Sequence, residues 1–250
     1  MEEFEFYNQE VLRLSGVLQR GTSGKMIIMC HGFRSNRSSK GRFDRFAGTF
    51  QRMGYNVMRF DFGGCGKSGN RPITLAGQVS DLSAAIKYVV DQGFKEIALY
   101  GHSLGARVCL EGFDPSYVKT LVVTGAGTGP VVYDWTDEFS APQLEELKET
   151  GMITQPVMDP YRSEIKISEQ MLRDFEECEQ QHLLSKITCP TLVVHGDQGE
   201  EQTLMPLTQH GMRWLPEMSK LEVIRGAEHS FMNHLKEVEA ITTSWLKSNF

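Results

Sequence analysis

Residues 97–106 read IALYGHSLGA, a short apolar run that breaks into Gly101-His102-Ser103-Leu104-Gly105. A G-x-S-x-G pattern set between a strand and a helix forces the serine into a sharp, strained turn, and glycines on both flanks remove the Cβ atoms that would clash there. The hydroxyl is then presented at the C-terminal end of the strand. A helix beginning at Leu104 adds free backbone N–H groups and a positive dipole end beside that hydroxyl, where an oxyanion would form. A five-residue pattern with three fixed positions also arises by chance as a simple Gly-bounded turn. Its weight depends on what surrounds it.

Outward from this turn, strands and helices alternate. Phe4 to Tyr7 and Val11 to Leu18 read as two short strands, and Lys25 to Cys30 (KMIIMC) as a buried strand ending at His31-Gly32. Phe43, Phe46, Ala47, Phe50 and Met53 recur at helical spacing, with Gly54 as a stop. A strand over Tyr55 to Phe60, a helix over Thr74 to Asp91, the strand at Glu96 to Tyr100 and the helix from Leu104 follow. Strands at Val118 to Thr124, Thr191 to His195 and Leu221 to Ile224, then a helix over Asn233 to Ser248, complete the order. Mostly parallel strands joined by helical crossovers, without repeats or a linker, predict one open α/β sheet spanning residues 1–250. Residues 126–189 interrupt the alternation with a charged, Pro-punctuated insertion whose helical stretches lie near Ala141 to Glu149 and Ser168 to Gln180. Ligands bind at the C-terminal ends of strands in such sheets, so this insertion is placed to act as a lid.

The composition excludes several classes of function. At 250 residues, 40% hydrophobic and 23% charged, the chain is an ordinary globular protein that needs no staples. A net charge of −6 disfavours a nucleic-acid partner. The one basic run, Arg34, Arg37, Lys40, Arg42 and Arg45, reads first as a solvated loop and helix face, and second as a feature favouring anionic substrates. The acidic start MEEFEFYNQE lacks the order of a secretion signal, and no apolar run approaches membrane length, so a cytoplasmic protein without membrane insertion is expected. The five scattered cysteines show neither disulfide nor zinc spacing and read as small buried residues.

A serine hydroxyl is a weak nucleophile until a base takes its proton, so a histidine oriented by a carboxylate should follow it in the chain. Of the seven histidines, His229 sits in Gly226-Ala227-Glu228-His229-Ser230-Phe231, between the last strand and the terminal helix, where a loop can hang an imidazole over Ser103. His31, His102 and His195 stand at strand ends and are expected to bond or pack around the site. The carboxylate should lie in His195-Gly196-Asp197-Gln198-Gly199-Glu200, where Asp197 and Glu200 compete. The chain order serine, acid, histidine is one of those found in serine triads.

Five ordered blocks carry a family resemblance. They are His31-Gly32-Phe33, Phe60-Asp61-Phe62-Gly63-Gly64-Cys65-Gly66-Lys67-Ser68, Gly101 to Gly105, His195-Gly196-Asp197 and Gly226 to Phe231. Over nearly its whole length the chain resembles the α/β-hydrolases, and most of all their cinnamoyl and feruloyl esterase branch. The resemblance implies Ser103 as nucleophile, His229 as general base, and the backbone N–H groups of Phe33 and Leu104 as the oxyanion hole. It also implies a departure, because the family's usual acid position falls on Gly199. Asp197 is preferred to Glu200 on its short side chain at the strand end, whereas Glu200 lies nearer the usual position.

In the family the insertion shapes the acyl pocket, and here it offers Tyr133, Asp134, Trp135, Phe139 and Tyr161 for an aromatic or other small to medium acyl group. The alternative role of these aromatics is to pack the insertion onto the sheet. The expected function is hydrolysis of a small-molecule carboxylic ester through an acyl-enzyme. No metal or organic cofactor is implied, since nucleophile, base and oxyanion donors all come from the chain. The alternatives are an aminopeptidase or thioesterase with the same machinery, and a binding protein impaired by the glycine at 199.

Overall fold

In the computed structural model, which describes residues 1–250, β1 (Glu2–Tyr7) and β2 (Arg13–Gln19) pair antiparallel, β3 (Lys25–Cys30) enters the interior, and α1 (Arg42–Arg52) leads to β4 (Asn56–Asp61). The alternation continues through α2 (Leu75–Asp91), β5 (Glu96–His102), α3 (Leu104–Glu111) and β6 (Val118–Thr124). The insertion follows, with α4 (Ala141–Thr150), β7 (Met152–Asp159), β8 (Arg162–Ser168), α5 (Glu169–Glu176) and α6 (Gln180–Ser185). The chain then closes with β9 (Thr191–Gly196), α7 (Glu201–Gly211), β10 (Lys220–Ile224) and α8 (Leu235–Asn249).

Eight strands form one sheet in the order β1-β2-β4-β3-β5-β6-β9-β10, parallel except where β2 pairs with β1 and β4. The apolar runs are continuous because both faces are covered. In β3, Met26, Ile28 and Cys30 enter the core that also takes residues of α2 and α3. Ile27 and Met29 point to the other core, packed by Phe43, Phe46 and Phe50 of α1 and by Val238, Trp245 and Leu246 of α8. Thr74 caps α2 by accepting from the Gly77 amide, the arrangement an N-cap threonine favours.

This order positions the site. The chain winds from β3 to β4 on one side, then returns to place β5 on the other side of β3, so the winding direction reverses between β3 and β5. Cys30 is in register with Gly101, His102 with Thr124, and Thr124 with Val194, which brings the loops after β3, β5, β6 and β9 to one rim. A crevice at such a reversal is where open α/β sheets bind ligands.

Three sequence expectations need correction. The insertion is not simply helical, because residues 152–168 form an antiparallel hairpin. Its signal is the alternation that buries Ile165 and Ile167 and pairs them with the segment containing buried Ile153. The helix expected up to Gln180 stops at Glu176 and α6 starts afresh at Gln180. Finally, α7 fills a stretch where no element is expected from the sequence, and it accommodates Pro206 in its interior. No helix of the chain is long and apolar enough to cross a membrane.

Candidate active site

The elbow between β5 and α3 holds Ser103 at φ 55° and ψ −125°, a left-handed φ that costs a non-glycine residue energy and persists only because its surroundings fix it. Gly105 explains part of that constraint. A Cβ there would lie 2.1 Å from the carbonyl oxygen of Cys30 and 2.5 Å from that of His31, so only glycine lets α3 start this close to the end of β3. As first helical residue, Leu104 has no intrahelical acceptor for its N–H. The Phe33 amide, on the neighbouring loop, likewise donates to no backbone carbonyl. His31 fixes that loop, its Nδ1 at 2.9 Å from the Gly32 carbonyl and its Nε2 accepting from the Phe62 amide at 3.2 Å. Burial lowers the His31 pKa, in keeping with a neutral ring that donates at one nitrogen and accepts at the other.

His229 arrives from the loop after β10. Its Nε2 lies 2.8 Å from Ser103 Oγ and its Nδ1 lies 2.5 Å from Glu201 Oε1. Ser103, His229 and a carboxylate thus form a continuous chain of hydrogen bonds, but the carboxylate is neither of the two expected. Asp197 Oδ1 instead accepts from the Gly226 amide at 2.7 Å and ties the loop carrying His229 to the end of β9. Glu200 is exposed, accepts from the Tyr133 hydroxyl at 2.5 Å, and reaches no closer than 3.6 Å to His229, at Nε2 rather than Nδ1. Gly199, at φ 60°, precedes the exposed N-cap residue Glu200, and Glu201, the first residue of α7, is the carboxylate that faces inward.

Glu201 is fully buried, and its second oxygen accepts from His195 Nδ1 at 2.5 Å and from the Gly196 amide at 3.1 Å. Burial works against its ionisation, but the hydrogen bonds and charges of His195 and His229 outweigh it and hold the carboxyl down at about 2. At His229 burial favours the neutral ring, while the hydrogen bond it donates to Glu201 and the charges of Glu200 and Glu201 prevail and raise its pKa. His195 is itself anchored by Thr208 Oγ1 at 2.8 Å, two turns further along α7. Gly125, at φ 57°, is the matching small residue at the end of β6, since a Cβ there would meet His229 Cε1 at 2.8 Å and Glu201 Oε1 at 3.0 Å.

His102 lies behind the site, bonded to Thr124 Oγ1 at 2.9 Å, with its ring centroid 5.2 Å from that of His229. Burial takes its pKa well below the ordinary value. The Asp61 to Ser68 turn is held from within. Asp61 accepts from the Arg37 and Lys67 amides at 2.7 and 3.0 Å.

A narrow cleft lies against Ser103 and His229, with water-accessible room of only about 20 Å³. Leu75, Leu104 and Leu204 form its apolar base, and Tyr133, Met171 and Phe175 bring the insertion against it. Of the insertion residues expected at the substrate, Tyr133 lines this cleft. Asp134 does not, because its carboxylate accepts from the amide and hydroxyl of Thr136 in an exposed turn. Trp135 packs instead against Tyr133, Phe139 and Phe175, Phe139 is buried in the core, and Tyr161 stands exposed on the hairpin under Lys67. Met171 and Phe175 were not singled out in the sequence, although their i, i+4 spacing is the signal of one helix face. The five cysteines are all free and buried.

The sequence model of Hydrolase_4, serine aminopeptidase S33, matches residues 21–147. A 2-hydroxy-6-oxononadienedioate/2-hydroxy-6-oxononatrienedioate hydrolase of Dechloromonas aromatica is 32% identical over 113 residues, covering 44% of this chain and 38% of the relative. The chain therefore spans well under half the length of the curated relatives it matches. Among solved structures, Est1E from Butyrivibrio proteoclasticus, determined with ferulic acid bound, superposes with a TM-score of 0.78 at 20% identity over 98% of each chain. The α/β-hydrolase GrgF from a Penicillium species gives 0.78 at 18% identity, over 99% of this chain and 98% of that one. At these identities the likeness is one of fold. The family match includes Phe33 and Ser103 but stops before Glu201 and His229, so the acid and the base rest on geometry alone.

Proposed function

The chain belongs to the Hydrolase_4 family, serine aminopeptidase S33, within the α/β-hydrolases, and from that premise we propose that it is a serine carboxylic-ester hydrolase acting through an acyl-enzyme. The observation that carries the proposal is His229 Nε2 at 2.8 Å from Ser103 Oγ with its Nδ1 on a buried, ionised Glu201. Glu201 accepts the Nδ1–H and so fixes the tautomer in which Nε2 is free to take the serine proton. Oγ attacks the ester carbonyl as that proton moves to Nε2, and the oxyanion is met by the amides of Phe33 and Leu104. The imidazolium returns the proton to the departing alcohol, and a water activated by His229 releases the acid. The apolar base of the cleft suits a small to medium acyl group, and the insertion serves as a lid that must shift to admit it, because the present room is about that of one water. A carboxylate at 201 removes the reason for reading the chain as an impaired binding protein.

A peptide-cleaving alternative draws on the family's description and on Glu200, whose carboxylate borders the cleft and would suit an ammonium group. A panel of p-nitrophenyl esters and aminoacyl anilides separates the two. Ester turnover that disappears in Ser103→Ala is the expected result, and turnover of anilides alone would overturn the esterase assignment.

A further inference from the structure

The fold divides the basic run into cations with carboxylate partners and cations without. Arg34 pairs with Glu138 at 2.6 Å, Arg37 lies between Glu3 and Asp61 at 3.0 and 3.8 Å, and Arg45 pairs with Glu239 at 2.6 Å. Lys40 and Arg42 make no ion pair. Both line a second cleft of about 380 Å³ that reaches Ser103 and His229 past Phe33, and no aspartate or glutamate lines it. Arg42 is only 7% exposed, donating to the Ser230 carbonyl at 2.6 Å and to Ser39 Oγ at 2.7 Å, while its buried Nε has no partner.

A buried guanidinium without a counter-ion is costly to maintain, and a bound oxyanion supplies the charge it lacks. The first cleft differs in character: seven of its fifteen lining residues are apolar, and Glu200 and Asp174 line it alongside Arg107, which is itself paired with Glu111, so the second cleft is the more favourable of the two for an anion. We propose that the second cleft is a subsite for an anionic group, a carboxylate or a phosphate, on the ester whose carbonyl Ser103 attacks, with Arg42 and Lys40 as the binding cations. The proposal rests on the hydrolase reading of Ser103 and His229 and adds the substrate class: an ester with one apolar end and one anionic end.

The test compares phenyl acetate with 4-acetoxybenzoate and 4-acetoxyphenyl phosphate, charged on the alcohol, and with monophenyl succinate, charged on the acyl part. At low ionic strength at least one charged ester should exceed phenyl acetate in kcat/KM by about tenfold, the scale of a charge-assisted hydrogen bond. Salt should shrink that ratio, Lys40→Glu should abolish it, and Arg45→Ala, outside the cleft, should preserve it. A ratio near one for every charged ester, or an advantage that survives Lys40→Glu, overturns the proposal. Phenylphosphonate, titrated calorimetrically, keeps the two readings apart. If the wild-type protein turns over no ester, the hydrolase reading fails, while phosphonate binding that Lys40→Glu weakens about tenfold still upholds the subsite. Equal binding by both proteins, or binding by neither, rejects it.

Discussion

Glu201 is a carboxylate with no solvent exposure that stays ionised because three donors converge on it: His229, His195 and the Gly196 amide. Its effect on His229 has a direct kinetic consequence. The imidazole must be neutral to accept the serine proton, and its pKa is raised above the ordinary 6.5, so kcat/KM should climb with pH through a midpoint above that value. In Glu201→Gln the charge at residue 201 that favours the imidazolium is gone while burial still favours the neutral ring, so the midpoint should move to lower pH. A pH profile of ester hydrolysis for both proteins checks this, and an unmoved midpoint would exclude Glu201 as the group acting on His229. The sequence made Ser103 and His229 legible because each stands in a motif whose glycines and strand ends fix its direction. It hid Glu201 because three carboxylates crowd within five residues, Asp197, Glu200 and Glu201, and nothing in their spacing says which one faces inward.

Among the elements, continuous apolar runs were readable, and short alternating strands broken by charged residues were not. KMIIMC and IALY are buried on both faces and can hardly be anything but central strands. The β7–β8 hairpin buries Ile153, Ile165 and Ile167 in the core, and a polar side chain fastens its other end. Arg162 donates to the carbonyls of Gly64 at 2.7 Å, Gly66 at 2.9 Å, Cys65 at 3.2 Å and Ser68 at 2.6 Å, so the insertion reads the shape of the Asp61 to Ser68 turn rather than its side chains. A second attachment runs through the bridge between Ile73 and Ile167. Arg162→Met keeps the stem but strands those carbonyls, and it should lower unfolding free energy by about 1–3 kcal/mol and speed amide exchange in residues 152–168. Denaturant melts and hydrogen exchange measure both, and unchanged exchange in the hairpin would show that this arginine does not fasten it.

At the scale of the molecule, the function depends on strand order. The winding reverses between β3 and β5, so loops distant in sequence reach one rim: the Phe33 amide after β3, Ser103 after β5, Gly125 after β6, Glu201 after β9 and His229 after β10. Two clefts of different character meet at Ser103, one largely apolar and lined by Arg107, Asp174 and Glu200, the other lined by cations and no carboxylate. The alternation of elements foretold the parallel sheet, and the positions of the motifs at strand ends foretold the rim. The most direct test of the central claim is the rate at which a fluorophosphonate modifies Ser103, followed by mass spectrometry at a pH where His229 is neutral. Ser103→Ala should take no label, and Glu201→Gln should label up to about 10⁴-fold more slowly than the wild type. Asp197→Asn and Glu200→Gln should stay within a few-fold of it. Loss of labelling in Asp197→Asn or Glu200→Gln, with Glu201→Gln left at the wild-type rate, would contradict the account.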